Sequence, residues 1–264
     1  MANNNNDNFY IFLKCIIMEH LTDKDFWKNY WLKKKDIFKP ISRKYIFSDI
    51  FENIVKQNDP KSAIEVGGFP GFYSIFLHKY FNLTTSLIDV VVIPSIMEKV
   101  CTINGVVSSE ISYIEDDFFD YKPVHKFDLV FSNGFIEHFS DTEEVIKLHL
   151  QYLNEDGTLL IILPNFKSLN GCFQKLFDPQ NYKKHFIQCM DKTYLRNICE
   201  RIGLKNVEVF YYGYFSIWLE EETRKKIFPR LCRIVVHYPF KIIFRLLRCN
   251  TKFFAPYIVV KATL

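Results

Sequence analysis

The sequence predicts an α/β fold, in which helices cover both faces of a doubly wound, mostly parallel sheet. Short apolar runs bounded by breaking residues alternate along the chain with segments whose apolar residues recur at helical spacing. The first of these runs opens onto a glycine-rich turn, and three of the predicted strands end in acidic residues. Since open α/β sheets bind ligands at the carboxyl ends of their strands, these acids predict a binding site at that edge.

The chain length of 264 residues suits one such domain with additions. Residues 1–20 begin with an asparagine-rich run and are expected to be disordered or loosely attached. Residues 21–264 are expected to form the single domain, with a helical extension over 21–58 and an insertion over 214–255. We therefore expect that deletion of residues 1–17 leaves thermal stability and ligand affinity nearly unchanged.

The helical extension contains a predicted helix with an aromatic stripe. Residues Thr22 to Asp25 resemble a capping box and so indicate a helix start. The aromatic residues that follow at helical spacing are Phe26, Trp27, Tyr30 and Trp31. Packing of this stripe on the domain is favoured over a lid that contacts substrate, because an amphipathic surface helix normally buries its apolar face. A second amphipathic helix is expected from Tyr45 to Val55.

Composition argues against several classes of protein. The net charge of +4 is too mild to predict a nucleic-acid partner. The seven cysteines include no Cys-x-x-Cys pair, so neither a disulfide framework nor a zinc site is expected. No apolar run reaches the length of a membrane span. These features together predict a cytoplasmic protein with reduced thiols.

The glycine-rich turn follows a predicted strand, Ser62 to Val66, and precedes a predicted helix, Phe72 to Tyr80. Glycine suits such a turn because a side chain would block the approach of the backbone to a ligand. A dinucleotide site is disfavoured, since the Gly-x-Gly-x-x-Gly spacing is absent, Glu65 is a poor neighbour for phosphate and Pro70 lacks an N–H donor. An acid at this point suits a ligand with positive charge, hydroxyls or amines.

This turn resembles motif I of class I S-adenosylmethionine (SAM) methyltransferases, Glu/Asp-x-Gly-x-Gly-x-Gly. Glu65, Gly67 and Gly71 match the motif. Phe69 stands where the middle glycine belongs, and Gly68 beside it can restore the room that the backbone needs. The resemblance implies that SAM is the cofactor.

Two further acids extend the resemblance. Asp89 lies near the end of the second predicted strand, Thr84 to Val90, where a carboxylate can accept both ribose hydroxyls. The third predicted strand ends in acids, and Asp117 aligns best with the acid that reaches the adenine amino group in the family. Asp116 and Asp120 are its close rivals in the sequence.

The remaining strands complete the family pattern. The fourth strand, Phe127 to Ser132, is followed by a segment from Asn133 to His138 that resembles the corresponding segment of the family. A fifth strand is expected over Thr158 to Leu163 and a last one over Tyr257 to Ala262. The resemblance implies a Rossmann-like sheet of seven strands with an antiparallel last strand. It assigns cofactor binding to Glu65, Gly67, Gly68, Gly71, Asp89, Asp117 and Asn133.

Two histidines are candidates for a general base. His138 follows the fourth strand, where an acceptor would meet the methyl group, although capping of the next helix explains it equally well. His185 lies in a long irregular stretch over residues 164–190, and long loops are often functional. A metal site made of Glu137, His138 and Asp141 is not expected, because no fourth ligand or recognised spacing accompanies them.

The expected activity is methyl transfer from SAM to a heteroatom, most readily oxygen, of a small molecule or glycan. This acceptor class follows from the family resemblance and not from the residues themselves. Two alternatives remain open at this point. One is a non-catalytic partner subunit with the same fold, and the other is an NAD-dependent oxidoreductase.

The insertion contains a basic, aromatic segment over residues 230–248, with no acid after Glu222. The residues expected on one helical face are Arg230, Arg233, His237, Lys241, Arg245 and Arg248. The apolar residues interleaved with them are Leu231, Ile234, Val235, Tyr238, Ile242, Leu246 and Leu247. Pro239 is expected to break or kink the segment into two shorter helices.

Two interpretations of this basic segment are open. A lid whose apolar face lies on the domain is favoured, because any amphipathic surface helix satisfies it. The alternative is an interfacial helix that rests on anionic lipid, which would hold the protein peripherally at the inner face of a membrane.

Overall fold

The computed structural model describes residues 20–247 and 250–264. The expectations for residues 1–17 and for Arg248 lie outside this part of the chain. The described residues contain seven strands: β1 (Ser62–Val66), β2 (Thr84–Asp89), β3 (Ile111–Glu115), β4 (Phe127–Asn133), β5 (Leu153–Pro164), β6 (Lys205–Tyr212) and β7 (Tyr257–Thr263).

These strands form one sheet in the order β3-β2-β1-β4-β5-β7-β6. β1 pairs in parallel with β2 and β4, β2 with β3, and β4 with β5. β7 runs antiparallel to both β5 and β6. The predicted fold class, a mostly parallel doubly wound sheet with an antiparallel last strand, is therefore confirmed.

Helices cover both faces of this sheet. They are α1 (Lys24–Lys33), α2 (Ser48–Asn58), α3 (Phe72–Phe81), α4 (Pro94–Ile103), α5 (Thr142–Gln151), α6 (Leu169–Phe177), α7 (Pro179–Tyr182), α8 (Lys192–Arg201), α9 (Glu221–Lys225), α10 (Ile227–Cys232) and α11 (Tyr238–Leu246). Single 3₁₀ turns span Ser108–Glu110, Ile136–His138 and Ile187–Cys189, and a π-helix spans Arg233–His237.

The core lies in two layers, one on each side of the sheet. Helices α2, α3 and α4 pack on one face together with Ala63 and Phe131. Helices α5 and α8 pack on the other face together with Ile64 and Val130. Neighbouring residues of a strand thus enter opposite layers, and the central strands are apolar along their whole length because both of their faces are buried.

Two predicted elements differ from the structure. The helix expected from Tyr45 begins at Ser48, because Phe47 before it has a left-handed backbone with φ of 65°. The stretch 164–190 is not irregular, since it contains α6, α7 and a 3₁₀ turn. The side chains of Ser168 and Asp178 cap α6 and α7, which makes these short helices compatible with a sequence of weak periodicity.

The insertion folds as a chain of helical segments from α9 to α11. The basic segment contains two shorter α-helices as predicted, α10 and α11, but the π-helix joins them and the chain is not broken at Pro239. Cys232, Arg233, His237 and Tyr238 are all right-handed helical, so the backbone continues through the proline. Pro239 lies in the first turn of α11, directly after the π-helix, where a missing N–H is tolerated.

The side of the insertion that packs on the protein is not the predicted one. Val236 and Phe244 contact a small cluster of Phe215, Ile217 and Leu219, and His237, expected on the basic face, is buried. The interleaved apolar residues that were expected to pack on the domain are exposed instead: Leu231, Ile234, Val235, Tyr238, Ile242, Leu246 and Leu247. No helix among the described residues has the length and apolarity needed to cross a lipid bilayer.

Candidate functional site

A cavity of about 560 Å³ opens at the carboxyl ends of the central strands. It lies around β1, at the position where the strand order reverses and open α/β sheets bind ligands. The predicted site residues that line it are Glu65, Gly67, Gly68, Asp89, Asp117, Asn133, His138 and His185. The structure therefore brings together all the predicted site residues except Gly71.

Close packing explains the glycines of the loop after β1. A Cβ atom on Gly68 would lie 2.5 Å from Cγ of Glu65, so only glycine fits beside that acid. Gly71 has a φ of 83° and starts α3, and a Cβ atom there would lie 2.9 Å from Cε of Met97. Gly71 thus serves the turn and the packing of α3 on α4, and it does not line the cavity.

Glu65, at the end of β1, connects the cavity to the first turn of α3. Its Oε2 atom accepts hydrogen bonds from the backbone N–H of Ser74 at 3.0 Å and from the Ser74 hydroxyl at 2.8 Å. Burial raises the pKa of this carboxyl to about 8, although both bonds from Ser74 act to lower it. A cationic ligand in the cavity would favour the ionised form again.

Asp89, at the end of β2, holds the glycine-rich loop in place. Its Oδ2 atom accepts a hydrogen bond from the N–H of Phe69 at 3.1 Å, and its Oδ1 atom accepts one from Val91 at 3.0 Å. Burial raises the pKa of Asp89 to about 6, against the lowering effect of these backbone donors. Each oxygen keeps a further lone pair with which it can accept a ligand hydroxyl.

Asp117 and Asn133 complete the acidic and polar side of the cavity. Asp117 is half-buried, and its Oδ1 atom accepts a hydrogen bond from the N–H of Phe119 at 3.0 Å. Its sequence rivals Asp116 and Asp120 are exposed and do not line the cavity. Asn133 ends β4 and reaches the cavity beside β1.

His138 and His185 lie side by side, with ring centroids 4.9 Å apart. The Nδ1–H of His138 donates to the carbonyl oxygen of Lys184 at 2.9 Å, and that of His185 donates to Asn181 at 2.8 Å. Since a carbonyl oxygen can only accept, these bonds place the free lone pair of each ring on Nε2. Burial lowers the pKa of His138 to about 3 and that of His185 to about 4, so both rings are neutral near pH 7.

Glu137 lies beside these two histidines. The observed cluster therefore contains His185 in place of Asp141, which the sequence analysis grouped with Glu137 and His138. The Glu137 carboxyl is 1% exposed, and burial raises its pKa to about 8. One potential ligand atom each from Glu137, His138 and His185 lies within 4.8 Å of the others. Asp141 is not part of this cluster, because it is exposed and caps α5 by accepting from the N–H of Glu144 at 3.0 Å.

The aromatic stripe of α1 lines the cavity, and the favoured expectation of packing on the domain holds for Trp31, which packs against the core layer that contains Phe69. Trp27 meets the ring of His138 edge-on at 5.3 Å, and Trp31 meets Phe69 edge-on at 5.4 Å. No residue of α1 is fully buried, because much of the surface beneath the helix is the cavity. The sequence contains the stripe but does not reveal what lies under it.

Two contacts hold α1 over the cavity. The Nζ atom of Lys184, next to His185, lies 4.0 Å from the centre of the Phe26 ring. At the other end, Nζ of Lys34 forms an ion pair of 3.2 Å with Glu220, in which both side chains are largely buried. These contacts tie the extension to the segment beyond β5 and to the start of the insertion.

Comparison with known proteins finds one family. The sequence matches the family profile described as a methyltransferase domain over residues 41–209, more than half of the chain. No curated protein matches the sequence significantly.

Solved structures of similar fold include a SAM-dependent methyltransferase from Archaeoglobus fulgidus, at 19% identity and a TM-score of 0.56, covering 89% of this chain and 99% of that one. Phosphoethanolamine N-methyltransferase 2 of Haemonchus contortus, in complex with SAM, is 17% identical with a TM-score of 0.52, and the match covers 81% of this chain and 52% of that one. The plantazolicin methyltransferase BpumL, in complex with S-adenosylhomocysteine, is 10% identical with a TM-score of 0.51, and the match covers 82% and 80%. At such identities the likeness shows a shared fold.

Proposed function

The chain belongs to the methyltransferase domain family, and we propose that this SAM-dependent enzyme moves a methyl group to a hydroxyl oxygen of a small, ring-bearing molecule. The observation that carries the proposal is that two kinds of residue line one cavity. The acidic part of its lining consists of the glycines and acids at the strand ends, and the aromatic part consists of the side chains of α1 and the His138–His185 pair.

The acidic part suits SAM group by group. Asp89 can accept the two ribose hydroxyls, and Asp117 can accept from the adenine amino group. Glu65 is buried at the end of β1 and is suited to the positively charged methionine end of the cofactor. Pyrophosphate would meet three carboxyls here, so an NAD-binding role is unfavourable.

The aromatic part suits an acceptor with a flat or apolar ring, including a sugar ring on a lipid or other small carrier. In the transfer, the acceptor oxygen attacks the methyl carbon in line with the sulfur as the carbon–sulfur bond breaks. S-adenosylhomocysteine leaves, and the hydroxyl proton passes to a neighbouring acceptor or to water. Closure of the cavity by α1 supplies alignment and excludes water, which is most of what methyl transfer requires.

Calorimetry tests the cofactor assignment. The purified protein should bind S-adenosylhomocysteine and not NAD. Asp89→Ala should weaken that binding by about tenfold or more, because hydrogen bonds to two hydroxyls and the anchor of Phe69 are lost. Asp120→Ala removes an exposed acid outside the cavity and should leave affinity unchanged. Measurable NAD binding without binding of S-adenosylhomocysteine would contradict the proposal.

We further propose that the acceptor lies in or on a membrane and that the insertion rests on anionic lipid. The segment from Ile227 to Leu247 carries large apolar side chains that face solvent, with Ile227 79%, Phe228 75% and Leu246 78% exposed. Arg230, Arg233, Lys241 and Arg245 flank them, and no acid occurs after Glu222 in this segment. Exposed apolar residues flanked by basic ones are typical of interfacial helices.

A basic cavity of about 350 Å³ on the same segment supports a lipid phosphate as the partner. Its lining consists of Arg224, Lys225, Arg230, Arg233, Ile234 and Tyr238. The Nε atoms of Arg224 and Arg233 are buried without a hydrogen-bond acceptor among the described residues. Trp218 and Glu220, just before α9, line the main cavity, so a membrane under the insertion would lie close to the acceptor.

Vesicle co-sedimentation tests this membrane contact. The protein should pellet with phosphatidylglycerol vesicles at low salt, and less so as salt rises. Arg230→Glu with Arg233→Glu should abolish pelleting. Lys122→Glu with Lys126→Glu, the same charge change at exposed positions elsewhere, should not. Equal recovery in the supernatant with neutral and anionic vesicles at low salt would rule the membrane contact out.

A further inference from the structure

Three side chains from two distant parts of the sequence converge at the acceptor end of the cavity. Glu137 and His138 belong to the 3₁₀ turn after β4, and His185 follows α7. Two hydrogen bonds join these parts: the backbone N–H of Phe186 donates to the carbonyl of Glu137 at 2.6 Å, and the Nδ1–H of His138 donates to the carbonyl of Lys184 at 2.9 Å. The arrangement is therefore fixed by the fold and does not depend on loose surface loops.

Both imidazole rings are oriented as metal ligands are. In metal sites, a ligating histidine donates its other N–H to a carbonyl or carboxylate, which sets the tautomer and the direction of the ring. His138 and His185 each donate from Nδ1 to a backbone carbonyl and make no hydrogen bond from Nε2 to a described residue.

The carboxyl of Glu137 is the unexplained group of this cluster. Its Oε2 atom is buried and has no hydrogen-bond partner among the described residues. A buried polar atom without a partner is unfavourable, because folding removes the hydrogen bonds that water makes with it. The same carboxyl lines the cavity beside the two histidines, so an ion shared with them would satisfy it.

From this geometry we propose that Glu137, His138 and His185 bind one divalent transition-metal ion. The potential ligand atoms lie within 4.8 Å of one another, so small side-chain rotations bring each to the ~2.1 Å bonds of such an ion. Two imidazoles and one carboxylate favour Zn²⁺, Co²⁺, Fe²⁺ or Mn²⁺ over Ca²⁺ and Mg²⁺, which prefer oxygen ligands. Three protein ligands leave coordination positions open toward the cavity.

An ion at this point would face the acceptor. If the proposed methyl transfer to oxygen is correct, the ion would bind the acceptor hydroxyl and lower its pKa, so that it loses its proton before attack. The metal site itself does not depend on that function. It also changes the expected role of the two histidines from general bases to ligands.

Metal titration of the full-length protein tests the proposal without any acceptor. After removal of metals with a chelator, Zn²⁺ calorimetry should show one ion bound per chain. Co²⁺ should give visible absorption bands of nitrogen and oxygen ligation. Because Cys172 is exposed, strong near-ultraviolet thiolate bands would instead show that a cysteine holds the ion.

Nearly isosteric variants locate the site. Glu137→Gln and His185→Gln should each weaken Zn²⁺ binding by about 100-fold or more and remove the Co²⁺ bands. His149→Leu changes a buried histidine outside the cluster and should leave metal binding intact. Circular dichroism confirms folding, and calorimetry with S-adenosylhomocysteine separates a failure of the metal site from a failure of the cofactor site. Absence of Zn²⁺ binding, or unchanged binding in both folded variants, would overturn the proposal.

Discussion

At the scale of single residues, the acids of the cavity serve the fold and the ligand together. Asp89 accepts from the N–H groups of Phe69 and Val91, and Glu65 accepts twice from Ser74. These bonds oppose the cost of burying the carboxyls and position them before any ligand arrives. A substitution at Asp89 therefore changes the loop as well as the contact to the cofactor.

His149 gives a prediction about pH. Burial lowers its pKa to about 4, from an ordinary value near 6.5, so the unfolded chain binds more protons between these values. The contribution of His149 to stability is thus complete above pH 6.5 and is lost as pH falls toward 4, by up to about 3 kcal/mol. His149→Leu should flatten the fall in urea midpoint between pH 7 and pH 5.

The control for this prediction is an exposed histidine. His125→Leu should leave the pH dependence of the urea midpoint as it is in the unmodified protein. The comparison concerns slopes and not absolute stability, because a leucine at position 149 also alters packing against Phe118. An unchanged slope in His149→Leu would contradict the assignment.

At the scale of elements, α1 provides one wall of the cavity above the carboxyl edge of the sheet. Its aromatic residues contact the glycine-rich loop through Phe69 and the histidine pair through His138. Contacts to Lys184 and Glu220 hold the helix at both ends. We therefore expect α1 to affect cofactor affinity, although it contains no residue of motif I.

Trp31 tests the role of α1. Trp31→Ala should weaken binding of S-adenosylhomocysteine by about threefold to tenfold, because an edge-to-face aromatic pair contributes about 0.5–1.5 kcal/mol. All three tryptophans of the chain, Trp27, Trp31 and Trp218, line the cavity, so intrinsic fluorescence can report the binding. Leu32→Ala, an exposed neighbour on the same helix, should bind normally. Equal affinity in both variants would show that α1 does not contribute.

At the scale of the whole molecule, the strand order decides which segments meet. β1 between β2 and β4 brings the loop after Glu65 next to Asp89 and Asn133. β5 lies beside β4, so the segment that follows β5, which contains His185, starts next to the segment that follows β4. Trp218 and Glu220, near the start of the insertion, line the same cavity, so the proposed membrane contact of the insertion would lie near the acceptor.

The sequence by itself determined the fold class and, through its resemblance to the methyltransferase motif, the enzyme class and the cofactor. Strand and helix periods are local, and the acids and glycines at strand ends lie at short, regular distances from the strands that position them. For this reason Glu65, Gly67, Gly68, Asp89 and Asp117 could be selected before the structure, and all five line the cavity.

The tertiary structure alone decided what surrounds each surface and which distant side chains converge. A helical stripe looks the same above a core or above a cavity, so the sequence does not predict that Trp27 and Trp31 line the cavity, nor that the apolar side of α10 and α11 is exposed. Glu137 and His138 meet His185 only because β4 and β5 are neighbours, a contact that no local spacing encodes. Local periodicity specifies elements, whereas convergence depends on how the whole chain packs.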